Sequence, residues 1–97
     1  MKIKLKGKIS TGEVWLNDKP LSPGPSQAVY NHSPTGFSWG YEGSGPAQLA
    51  LAILLEFYER DYAMRCYQDF KCKYIAQLPQ EDFETEFNMT DFEYSIV

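Results

Sequence analysis

Two short segments of this 97-residue chain combine side chains suited to acid–base, nucleophilic or anion-binding roles. In Asn31-His32-Ser33 the single histidine stands between an amide and a hydroxyl, the residue types of a base beside a nucleophile. Residues adjacent in sequence seldom point at one another, and no third group is placed to orient the imidazole. The segment therefore reads as a turn with hydrogen-bonding side chains, and no catalytic residue is assigned. Gly43-Ser44-Gly45, with Gln48 just beyond, offers anion binding instead. Glycines admit a ligand to the backbone, and the free N–H groups of a helix start attract phosphate or carboxylate. Asn31, His32, Ser33, Gly43, Ser44, Gly45 and Gln48 form the candidate set for a small anionic ligand.

Three features count against that set. The loop lacks the full G-x-x-x-x-G-K-[ST] and G-x-G-x-x-G patterns. No Lys or Arg lies between Lys19 and Arg60 to hold a phosphate, and the acidic Glu42 adjoins the loop. A tight turn that lets the following helix pack under Trp39 and Tyr41 is the preferred reading. Phe37-Ser38-Trp39-Gly40-Tyr41 alternates rings with small residues, which predicts a strand with its three rings on one face. Those rings either cover the helix or join Trp15 in an interaction surface of Trp15, Trp39 and Tyr41, since Trp and Tyr are enriched at interfaces.

Metal and disulfide chemistry find little support. Cys66 and Cys72 lie six residues apart in one predicted helix, on different faces, and read as two semi-buried free thiols. With one histidine, the four ligands of a zinc site are lacking, and neither metal nor cofactor is expected. Asn31-His32-Ser33 and Asn88-Met89-Thr90 match a glycosylation pattern without a secretion signal to give it meaning. That missing signal leads us to expect a cytoplasmic protein.

Periodicity sets the secondary structure around these segments. Lys2 to Ile9 alternates with period two, Ile3, Leu5 and Ile9 inward and Lys2, Lys4, Lys6 and Lys8 outward. Glu13 to Leu16 is a second strand, Asn17-Asp18 a two-residue turn, and Lys19 to Leu21 a brief return that Pro20 confines to an edge. Ser22 to Ser26 reads as a loop and Gln27 to Tyr30 as a short extended piece. Pro46 to Tyr58 is a helix apolar on every face, hence buried, and far too short for the roughly 20 apolar residues of a membrane span. Asp61 would cap a second helix, Tyr62 to Leu78, with Ala63, Tyr67, Phe70, Tyr74 and Leu78 on its buried stripe. The short connection makes the two helices an antiparallel hairpin. Glu81 to Phe87 reads as a strand set against the lysine strand, and Thr90 or Asn88 caps a last helix, Asp91 to Val97, with Phe92 and Ile96 inward and Tyr94 a further candidate, a terminal strand being the alternative. The expected fold is α+β, one domain over residues 1–97, a small antiparallel sheet against the helical hairpin.

Charge is uneven along the chain, whose net charge is −4. Residues 1–30 carry five lysines against two acids, and residues 78–97 carry six acids and no base. A lysine row can bind phosphate backbones. Without interleaved exposed aromatics or arginines, and in an acidic chain, self-complementarity between the two ends is the better account, and nucleic acid is not the expected partner.

The chain resembles a family of small, uncharacterised prokaryotic proteins that also turn up on phages and mobile elements. The resemblance rests on Asn31 to Phe37, Trp39-Gly40-Tyr41 and Gly43 to Leu54, with Asn17 to Leu21, Tyr67-Gln68, Phe70-Lys71 and Ile75 to Pro79. Glu42 stands where the family often has glycine. The resemblance implies a shared fold and no activity. Small size, aromatic content and the missing catalytic group point to a non-catalytic protein-interaction module, with an anion-binding loop as the alternative and the lysine strand on nucleic acid as the third reading.

Overall fold

The computed structural model describes residues 1–95. Four antiparallel strands, β1 (Lys2–Lys8), β2 (Glu13–Leu16), β3 (Lys19–Pro20) and β4 (Phe83–Asn88), form one sheet in the order β3-β2-β1-β4. Asn17 and Asp18 turn β2 into β3 with φ of 52° and 67°, the paired positive values of a tight hairpin whose twist matches the strands. Asn17 Oδ1 accepts the Lys4 N–H at 2.9 Å and ties the hairpin to β1. Pro20 sits on the edge strand, where its missing N–H costs no ladder bond.

The alternation in β1 sorts the two faces. Ile3, Leu5, Val14 and Leu16 are buried on the inner face. Lys4 stands opposite Glu86 and Lys6 opposite Glu84 on the outer face, the lysine-to-glutamate pairing that the charge asymmetry implied. Against the inner face lies α2 (Ser44–Phe57), in which every residue from Gly45 to Leu54 is buried. It forms a helical hairpin with α3 (Arg60–Phe70), giving the expected α+β class. The core joins the sheet, α2, α3, Trp39 and Phe92 in one cluster.

Several local expectations need correction, the first at the end of β1, which stops at Lys8 and leaves Ile9, expected inward, 40 % exposed. Residues 22–30, read as loop and extended piece, contain α1 (Gly24–Val29). Pro25 falls in its first turn, where an N–H has no intrahelical partner, so the proline that looked like a breaker is compatible with a helix start. Residues 37–41 form no strand. Gly40 adopts φ +86°, and a Cβ there would meet Leu78 O at 2.8 Å, so the chain bends sharply against the 78–80 segment instead of extending. The second helix starts at Arg60 with Asp61 in its first turn. Its later part, Lys71–Ile75, is a π-helical turn, closed by Ala76 N–H on Lys71 O at 2.8 Å. One extra residue per turn moves the buried position after Phe70 from Tyr74 to Ile75, which is 0 % exposed.

The last helix, α4 (Met89–Ser95), starts two residues earlier than expected. Asn88 Oδ1 accepts the Thr90 N–H at 3.0 Å at its start, as a capping side chain does. Phe92 is buried, whereas Tyr94 is 77 % exposed and not inward. The expected inward place of Ile96 lies outside the described residues. No helix among the described residues is long and apolar enough to cross a membrane.

Candidate functional site

Gln48 organises the first candidate set. Its position on the all-apolar α2 forces its amide into the interior, where all four hydrogen-bonding positions must be filled. Oε1 accepts the backbone N–H groups of His32 at 2.7 Å and Ser33 at 2.9 Å. Nε2 donates to Ser26 Oγ at 2.9 Å and to Tyr30 O at 3.1 Å. Ser26 Oγ in turn donates to Pro23 O at 2.8 Å. The side chain is 0 % exposed and clamps the end of α1 and the 30–33 turn onto α2. Of the candidate set, His32 and Ser33 thus meet Gln48, through backbone groups and with the amide fully used.

The side chains of the turn diverge in environment. Asn31 is exposed. Ser33 is buried, and its hydroxyl lies 3.5 Å from Thr35 Oγ1. His32 lies flat on Tyr30, ring centroids 4.2 Å apart, and its Nε2 shares a 2.7 Å hydrogen bond with Tyr67 OH. Burial holds the His32 imidazole below its ordinary value, helped by the positive charge of Lys71. His32 and Ser33 form no nucleophile–base pair, since the imidazole bonds Tyr67.

The glycine step is packed from outside. A Cβ on Gly45 would meet Ser38 Cβ at 2.7 Å and Ser38 N at 3.0 Å. One on Gly43 would meet the Tyr41 ring at 2.5 Å. Ser44 is exposed, and no side chain caps the start of α2. These close approaches fit the tight-turn reading of the segment. Beside it Glu42 binds Lys71 Nζ at 3.0 Å and accepts from Cys72 Sγ at 3.5 Å. The Lys71 ammonium hydrogen bond is the main reason that the Glu42 carboxyl lies below its ordinary value. Lys71, distant from this loop in sequence, brings a cation to it in the fold, and that cation is already paired with Glu42.

Cys66 is buried and Cys72 exposed, so they do point to different faces, with Cys72 less covered than expected. No group of three His, Cys, Asp or Glu side chains able to hold a metal occurs among the described residues.

The aromatic set divides across the sheet. Trp39 is 0 % exposed. Its ring lies under Gly7, where a Cβ would come within 2.8 Å of it, and meets Phe83 edge-on at 5.0 Å. Its Nε1 donates to Glu81 O at 2.9 Å. Trp39 is therefore a core residue and not part of a surface. Tyr41 is 42 % exposed over the glycine step. Trp15 pairs with Lys6 on the outer face, where Lys6 Nζ sits 5.6 Å from its ring.

Trp15 also borders two clefts that sequence reasoning did not anticipate. One, of about 360 Å³, runs between β2 and the 34–37 segment and is lined by Glu13, Leu21, Thr35 and Phe37 among others. The other, of about 390 Å³, lies over β1 and β4 among Lys6, Lys8, Asp82 and Glu84. Period-two alternation already placed Trp15 on the lysine face, and that was the available signal.

No curated protein and no solved structure matches the chain. A family model does, over residues 5–95, from the middle of β1 to the end of α4. The chain belongs to that family, a family of unknown function (DUF6166).

Proposed function

We propose that this domain is a non-catalytic protein-interaction module that works through the outer face of its sheet, with Trp15 at the centre. The observation that carries the reading is the position of Trp15, partly exposed between two clefts on the sheet face opposite Leu16 and Val14, a face no helix covers among the described residues. A large ring held by a cross-strand lysine presents apolar area at low entropic cost, the property of an interface anchor. Charged residues surround it in both signs: Lys6 and Lys8 on one side, Glu13 and Glu84 on the others. That mixture favours a protein surface over a phosphate backbone, which rewards a single positive sign. Lys4, moreover, is tied to Asp18 at 3.2 Å. The resemblance to proteins of phages and mobile elements extends the proposal to a host protein as partner, with the domain as accessory factor or inhibitor.

The test is capture from a lysate of the source cells with the tagged domain, beside a Trp15→Ala variant whose thermal unfolding matches the original. One stoichiometric protein retained by the original and lost by the variant is the expected result. Equal retention by both, or retention of nucleic acid that disappears with salt, overturns the reading.

A further inference from the structure

β4 is one of the two edge strands of the sheet. Met89 N–H bonds Met1 O at 2.8 Å, one register step beyond the Lys2–Asn88 pair. In an antiparallel ladder bonded pairs alternate, so Ile3–Phe87, Leu5–Thr85 and Gly7–Phe83 are the bonded pairs of β1 and β4. The other side of β1 agrees, since Asn17 N–H bonds Lys4 O at 2.8 Å and gives the even-numbered residues to β2. Glu84 and Glu86 therefore aim their N–H and C=O groups away from the sheet. β4 is the last strand on that side, and α4 turns inward beyond it, with Phe92 against Phe70 at 5.0 Å.

Three properties describe what this edge fits. The carboxylates of Glu84 and Glu86 are exposed on the outer face, and neither takes part in a salt bridge among the described residues. On the inner face Phe83, Thr85 and Phe87 are only partly buried, whereas Ile3 and Leu5 beside them on β1 are 1 % and 0 % exposed. The strand already paired with β4 shows the complement of such an edge: lysines opposite the glutamates, apolar residues opposite Phe87 and Thr85. A second copy of β4 is a poor occupant, because antiparallel pairing would set its glutamates against these.

We propose, resting on the protein-interaction reading, that β4 accepts an extended basic segment of a partner protein as a fifth strand. The segment alternates Lys or Arg with apolar residues, its cations beside Glu84 and Glu86 and its apolar side chains over the exposed edges of Phe83 and Phe87. Main-chain bonds supply the attachment and alternate side chains the selectivity, as in strand addition generally. The acids turn away neutral and acidic edges and so keep the strand from pairing indiscriminately.

The probe is a blocked heptapeptide alternating Lys and Val, titrated into the full chain while amide exchange and backbone NMR shifts are followed. Slower exchange of the Glu84 and Glu86 amides on binding is expected. A Glu84→Gln, Glu86→Gln variant, which keeps the edge, should bind about threefold to tenfold more weakly, the worth of two exposed ion pairs. Glu86→Pro removes an outward N–H without touching the β1 ladder and should abolish protection. The same peptide N-methylated along one edge keeps its charge and should not bind. Equal binding by the methylated peptide reduces the contact to charge alone and overturns the proposal, as does absence of protection in the original chain. Protection that grows with protein concentration without peptide gives the edge to a second copy, with the same consequence. A Trp15-dependent partner whose capture survives Glu86→Pro leaves the interaction reading standing and removes the strand-addition proposal alone.

Discussion

Trp15 and Trp39 lie on opposite faces of one four-stranded sheet, and their surroundings differ in kind. Beneath the sheet Trp39 is sealed, its indole N–H bonded to Glu81 O. Close by in sequence, Gln48 has each amide position filled and the glycine step is closed by Ser38 and Tyr41. Above the sheet Trp15 is partly exposed, Glu84 and Glu86 lack ion pairs among the described residues, and the β4 backbone ends in open donors and acceptors. In the region richest in suggestive residues Gln48, Trp39 and His32 spend their side-chain polar groups on internal partners, while Asn31 and Ser44 stay exposed. The plain lysine–glutamate face leaves Glu84 and Glu86 without ion pairs among the described residues. Suggestive residue types mark where hydrogen bonds are made, and their partners decide whether any capacity is left for a ligand.

The largest expected effect separates the two tryptophans. Trp39→Ala should lose about 3–5 kcal/mol of stability, through lost burial and the cavity left under Gly7. Trp15→Ala should lose less than about 1 kcal/mol, because its ring is not part of the sealed core. Urea unfolding of the two variants checks this. Similar losses in both would erase the distinction between the faces.

Next in size is Gln48→Leu, similar in bulk but unable to hydrogen-bond. It would leave the His32 and Ser33 N–H groups and Tyr30 O to find water by opening the turn. A loss of about 3 kcal/mol follows from several groups at about 1–3 kcal/mol each, reduced by that opening. Unchanged stability would mean that the clamp is not structural and would return the turn to the list of ligand sites.

The two regions were also unequally legible in the sequence. The outer face followed from period two: Lys2, Lys4, Lys6 and Lys8 point out, and the acidic strand at residues 83–88 pairs with them. The Asn17-Asp18 turn and the buried α2 were equally plain, because turn chemistry and all-round apolarity are local properties. The sealing of the inner region was not legible. Gln48 bonds mainly to backbone groups, which carry no sequence signature. The bend at Gly40 looks like strand alternation until its φ is known, and the π turn at Lys71–Ile75 differs from an α-helix only in which carbonyl each N–H meets. From the sequence alone Trp39 suits a surface as well as a core, and its burial depends on the space above it at Gly7, a residue distant in sequence.

The smallest expected effect concerns His32, the inner region's only group that titrates near neutrality. Its imidazole lies below the ordinary value, about 6.5, first because burial against Tyr30 and Tyr67 disfavours the charged ring and second because Lys71 repels it. The folded state thus prefers the neutral ring. Its contribution to stability is complete above the unfolded-state value and is lost as pH falls through the lower folded-state value. NMR titration of the ring protons should give a midpoint below about 6.5. Lys71→Met should raise the midpoint only part of the way, since burial remains, and should also release Glu42 toward its ordinary carboxyl range. A complete return to the ordinary value in Lys71→Met would make charge, and not burial, the cause. The turn would then be open to water, and the contrast between a sealed inner region and an available outer face would fail at its most chemically suggestive residue.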